Sequence, residues 1–108
     1  MSRKVFLNGD YLDENEAKIS IFDRGVLFAD SVYEVTAFIE NKLIDFKAHL
    51  ERLKRSLNEI NMEYNLDYNE FLEIHKNLIK LNNLEDKEGL IYFQISRGNT
   101  DRDFLIKN

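Results

Sequence analysis

Between Val32 and Glu40 the side chains divide into two faces. Val32, Glu34, Thr36 and Phe38 lie on one, and Tyr33, Val35, Ala37 and Ile39 on the other, which predicts a strand. Asn41-Lys42 turns it into a short second strand at Leu43-Ile44. The period then changes to helical. Phe46, Leu50, Leu53, Leu57 and Ile60 recur at spacings of four and three, an apolar stripe with Asp45 in the N-cap position and Glu51 and Arg55 one turn apart for pairing. A second helix starts at Asp67, where Glu70 completes a capping-box pattern. It carries Phe71, His75, Leu78 and Ile79 on its apolar face and ends near Asn82-Asn83. Leu90 to Ser96 alternates again, with Ile91, Phe93 and Ile95 on one side and Tyr92, Gln94 and Ser96 on the other, which predicts a half-buried strand. At the front of the chain, Val5-Phe6-Leu7 and Tyr11-Leu12 flank Asn8-Gly9, a hairpin signal, and Ala17 to Phe22 is a candidate extension of it. Asp23-Arg24-Gly25 then punctuates the run before a short Val26–Ala29 segment. This order of strands, two helices and a strand predicts an α+β domain, a mainly antiparallel sheet with two helices packed on one face.

Composition narrows the setting. A chain of 108 residues fits one domain, which buries roughly two thirds of the surface its unfolded chain exposes. Twenty acidic against fifteen basic residues give a net charge of -5, a field that disfavours nucleic acid and anionic membranes as partners. Any anionic ligand must be held by local arginines. The absence of cysteine removes disulfides, thiolate metal sites and a cysteine nucleophile. The N-terminal stretch lacks the apolar run of a signal peptide, and no segment approaches a membrane span, so a cytoplasmic protein is the expectation.

Few residues carry chemistry on their own account. There is no glycine-rich phosphate loop, and neither of the zinc-protease and serine-hydrolase motifs occurs. His49 and His75 are far apart and read as helix-surface or packing residues rather than metal ligands. Tyr33, Arg52, Arg97 and Arg102 stand at the ends of elements, and the planar arginine fork suits phosphate or carboxylate. The plainer alternative makes Tyr33 a cross-strand packing aromatic, Arg52 a solvated helix residue and Arg102 a loop charge paired with Asp101 or Asp103.

Three stretches in register change that balance: "DRGVLFADSVYEV", "FKAHLERLKRS" and "IYFQISRGNTDRD". From about Val5 to Asp103 the chain resembles the N-terminal domain of the fold-type IV (class IV) pyridoxal-phosphate aminotransferases, most of all the D-amino acid transaminases. The resemblance implies that Arg52 binds the cofactor phosphate. It likewise implies that Tyr33 faces the active site beside Val35 and helps hold the substrate carboxylate, and that Arg102 reaches the partner subunit's site of a homodimer to trap that carboxylate. Asp23, Arg24, Gly25 and Arg97 match the family as structural turn and strand-end residues. Phe104 stands where similar transaminases often carry a histidine, which makes the pocket less polar.

The family's Schiff-base lysine comes from a C-terminal domain, and none of the nine lysines here matches its context. The expectation is therefore residues 1–108 as an N-terminal domain, with no catalytic residue of its own, no metal and no bound pyridoxal phosphate. It would be inactive alone and would belong to an enzyme moving an amino group between a D-amino acid and a 2-oxo acid. The rival readings are the branched-chain aminotransferase or aminodeoxychorismate lyase branch of the family, and a truncated self-associating domain with an exposed apolar patch.

Overall fold

The computed structural model describes residues 2–99. Strands β1 (Lys4–Leu7) and β2 (Asp10–Asp13) form the predicted hairpin, with Phe6 opposite Tyr11 and their rings edge to face at 5.1 Å. Asn8 (φ 48°) and Gly9 (φ 96°) both take positive φ, the demand of a tight turn that twists with its strands. This hairpin is a separate two-stranded sheet. The helix over Tyr68–Leu81 packs against it, and Asn82 at the end of that helix bonds to both the N–H and the carbonyl of Lys4.

Ala17 to Phe22 does not extend the hairpin. The chain turns at Glu14–Glu16, where Glu16 N–H donates to the Asp13 carbonyl, and the following residues stay irregular with Ile21 and Phe22 exposed. An apolar run becomes a strand only when a neighbour pairs with it, and among the described residues β2 pairs only with β1. The Val26–Ala29 segment is helical instead, as part of α1 (Arg24–Phe28). Asp23 caps α1 by accepting from Gly25 N–H, and Ala29 closes it in the left-handed conformation.

The main sheet has the order β4-β3-β5. Its spine is the antiparallel pairing of β3 (Ser31–Ile39) with β5 (Glu88–Ser96), unbroken from Ser31↔Ser96 to Ile39↔Glu88. The short β4 (Lys42–Leu43) pairs only with Phe38 and Ile39, so among the described residues the same edge of β3 from Ser31 to Thr36 has no strand beside it. Two longer helices, α2 (Phe46–Glu59) and α3 (Tyr68–Leu81), cover one face. Val32, Phe46, Leu50, Leu53, Leu57, Met62 and Phe71 make one core cluster, and Phe38, Ile79 and Ile91 a second beside it. The α+β architecture stands as predicted, with the small helix α1 added and the hairpin detached from the main sheet.

The caps differ in kind. Asp67 accepts from the N–H groups of Asn69 and Glu70, one half of the capping box. Asp45 does occupy the N-cap of α2, but at φ 54°, and its side chain caps nothing. An N-cap carboxylate reaches the first free N–H groups from an extended backbone, which a left-handed residue does not have. Nor does an ion pair join Glu51 and Arg55 among the described residues. None of the described helices is long and apolar enough to cross a membrane.

Candidate functional site

Strand alternation places Glu34 on the inner face of β3, among Val32, Thr36 and Phe38, and leaves its carboxylate 2% exposed. A charge there requires compensation. The α2 helix supplies it from one side: His49 and Arg52 are three residues apart and so project from the same face. Arg52 donates from Nε to Glu34 Oε2 and from Nη2 to Oε1, both at 2.8 Å, and His49 Nδ1 donates to Oε1 at 2.7 Å. Those contacts use the side-on edge of the guanidinium. Its side chain remains 60% exposed, and among the described residues Nη1 has no acceptor. Hydrogen bonding from Arg52 holds the Glu34 carboxyl below the usual carboxylate range, with His49 assisting and burial opposing.

Tyr33 and Val35 belong to the other face of β3, which no helix covers among the described residues. Tyr33 is 61% exposed and stacks on Tyr92 of β5 at 5.5 Å between ring centres. Arg52 reaches β3 from the helix-covered face, at Glu34 between Tyr33 and Val35, and bonding to that carboxylate is the main cause of its raised pKa. Glu34 and its two neighbours lie in the stretch of β3 whose β4-side edge, among the described residues, carries no neighbouring strand. Of the residues expected at the site, Tyr33 and Val35 lie on one face of β3, and Arg52 meets the strand from the opposite face at Glu34. Arg102 and Phe104 lie outside the described residues.

A second ionic cluster sits behind this end of the sheet. Asp30, between α1 and β3, accepts from Arg24 Nε and Arg97 Nε, each at 2.8 Å; the two arginine side chains are buried and that of Asp30 is partly so. Burial raises the Asp30 carboxyl, but the bonds from Arg97 and Arg24 outweigh it and the net shift is downward. Arg97 also donates to the Ile60 carbonyl at 2.5 Å, and Arg24 N–H to the Gly98 carbonyl at 2.8 Å. With Asp23 bridged to Asn99 and bonded by Ser96 Oγ, these contacts fasten the Arg97-Gly98 turn to the start of α1. Asp23, Arg24 and Arg97 make structural contacts here, as expected of turn and strand-end residues.

His75 is a packing residue. Its ring meets Phe46 and Phe93 edge to face, at 4.8 and 5.0 Å, and Nδ1 donates to the Phe71 carbonyl. Among the described residues no group of three or more histidine, cysteine or acidic side chains is arranged to hold a metal ion. Glu34 and His49 are the site residues that motif reading missed. Their signal was nevertheless present, since an acid on a strand face otherwise made of Val32, Thr36 and Phe38 needs a cationic partner.

Residues 31–108 match the amino-transferase class IV family. The D-alanine aminotransferase of Staphylococcus haemolyticus is 39% identical over 100 residues, covering 93% of this chain and 35% of that protein. Similarity extends to the aminodeoxychorismate lyase of Bacillus subtilis, 34% identical over 101 residues, or 94% of this chain and 34% of that protein. Among solved structures, the branched-chain aminotransferase of the thermophilic archaeon Thermoproteus uzoniensis, with norvaline, superposes with a TM-score of 0.72. That match covers 87% of this chain and 32% of the other at 23% identity, a likeness of fold. The chain therefore spans well under half the length of the relatives it matches. With a family match across most of its residues and this degree of identity to curated members, the chain belongs to the class IV amino-transferases.

Proposed function

We propose that this chain is the small N-terminal domain of a pyridoxal-phosphate enzyme that moves an amino group between a D-amino acid and a 2-oxo acid, working as a homodimer. The observation that carries the reading is the Arg52 guanidinium, anchored along one edge by a buried carboxylate and open along the other, on a chain 39% identical to a D-alanine aminotransferase. Those groups fit the cofactor. Arg52 holds its phosphate, for which a forked cation is a natural partner. Tyr33 offers a phenol from an exposed sheet face, and with Val35 beside it orients the substrate carboxylate. Arg102, by family resemblance, supplies the opposing cation across the dimer. When bound, pyridoxal phosphate supplies the carbonyl that accepts the amino group and the electron sink that makes the α-proton removable. No lysine of this chain matches the family's Schiff-base lysine, so the 108 residues alone transfer no amino group.

The test is an assay of the protein expressed from its own gene, offered D-alanine, L-leucine and aminodeoxychorismate in turn. Turnover of D-alanine with a 2-oxo acid acceptor is the expected result, and turnover of L-leucine alone overturns the choice of branch. Identity of 34% to an aminodeoxychorismate lyase makes that branch the second reading, and cleavage of aminodeoxychorismate would select it.

A further inference from the structure

We propose that Glu34 is a positioning residue for anion binding, which fixes the plane of the Arg52 guanidinium so that its end-on edge is presented to a phosphate. The inference rests on the reading of Arg52 as the phosphate-binding arginine. Arg52 gives Nε and one Nη2 hydrogen to Glu34, which leaves one Nη1 hydrogen and the second on Nη2 parallel along the end-on edge, the other Nη1 hydrogen lying on the Cδ side. That edge is itself a two-pronged donor matched to two oxygens of one phosphate. A single arginine therefore serves two anions at once, one buried and permanent, the other arriving from solvent. Without the buried partner, a side chain 60% exposed would sample many rotamers and give up that freedom on binding. His49 completes the mount, since its Nδ1 bond to Oε1 limits rotation of the carboxylate that carries the guanidinium.

Two effects of Glu34 on a bound phosphate have opposite signs, and this makes the role testable. As a nearby negative charge, Glu34 repels the phosphate, so background electrostatics alone predicts that Glu34→Gln tightens binding. Orientation predicts the reverse, because the amide cannot accept at both oxygen positions and the fork comes loose.

The experiment titrates inorganic phosphate into the full chain and follows the backbone amide signals of α2, together with the Arg52 Nε–H where present, by NMR. Expected are a saturable shift in the wild type, its loss in Arg52→Ala, and binding roughly tenfold weaker in Glu34→Gln with a dispersed, folded spectrum. Glu34→Gln binding as tightly as wild type, or more tightly, overturns the positioning role and leaves Arg52 as the phosphate ligand. No saturable binding in the wild type, or an unchanged titration in Arg52→Ala, overturns the phosphate reading itself. Should Glu34→Gln fail to fold, side-chain nitrogen relaxation of the wild type decides the matter. Arg52 Nε is then expected to be more ordered than that of Arg55, an α2 residue with no ion pair among the described residues, and equal mobility overturns the proposal.

Discussion

His75 places an imidazole, 1% exposed, at a position on α3 whose neighbours are otherwise apolar. Desolvation holds it below its ordinary value of 6.5, with His49 adding to the effect and the bond to the Phe71 carbonyl opposing it. The folded state thus disfavours protonation, and the stability tied to the neutral ring is complete above 6.5 and lost as pH falls below it. Glu34 and Asp30 behave differently: both are held below their ordinary values of 4.5 and 3.8, so their contributions persist above those values and vanish below them. Urea unfolding should therefore weaken in two stages on acidification, and His75→Leu should remove the upper one. Equal losses for wild type and His75→Leu between about pH 8 and about pH 5.5 would count against this assignment. At this scale the sequence is only partly legible. Arg52 and Tyr33 stand out through motif resemblance, whereas Glu34 does not, because its significance depends on which helix residues lie above it.

Elements with a clear period are legible from spacing. The faces of β3 and β5 and the stripes of α2 and α3 follow from it alone, since burial on one side imposes that spacing. Ala17 to Phe22 misleads because composition records an affinity for sheets and not whether a partner strand is available. The two helix starts give a contrasting pair of outcomes. Asp67→Ala removes an acceptor from two N–H groups and should cost about 1 kcal/mol. Asp45→Asn, at a left-handed position with no cap bond, should stay within about 0.5 kcal/mol. Chemical denaturation distinguishes them, and equal costs would overturn the contrast between the two helix starts. Inside the sheet, a Cβ on Gly89 would come within 2.7 Å of the buried Phe38 ring. Gly89→Ala should accordingly destabilise by roughly 1–3 kcal/mol, and a neutral result in the same measurement would mean that the ring moves aside.

For the molecule as a whole, two helices cover one face of the sheet while Tyr33, Ile39, Leu90 and Tyr92 remain exposed on the other, Leu90 by 72%. Apolar area of this kind in an otherwise charged chain favours association. The isolated chain should self-associate with rising concentration, and Leu90→Lys should shift sedimentation toward the monomer while leaving thermal stability unchanged. Wild type sedimenting as a monomer throughout would remove the idea. The alternating pattern foretells both faces but not which one the helices choose, because that follows from how the segments between β4 and β5 cross over. The same crossing governs time as well as space. Every rung of the β3–β5 ladder joins residues on either side of both long helices, and the Asp30–Arg97 bond spans 67 positions. On a ribosome, the hairpin and helices emerge before the strand that completes the main sheet. Closing so long a loop is slow, so Asp30→Asn should accelerate unfolding and leave the folding limb of the chevron in place. The Asp30 knot then acts as a latch, engaged last and setting how long the assembled domain stays closed.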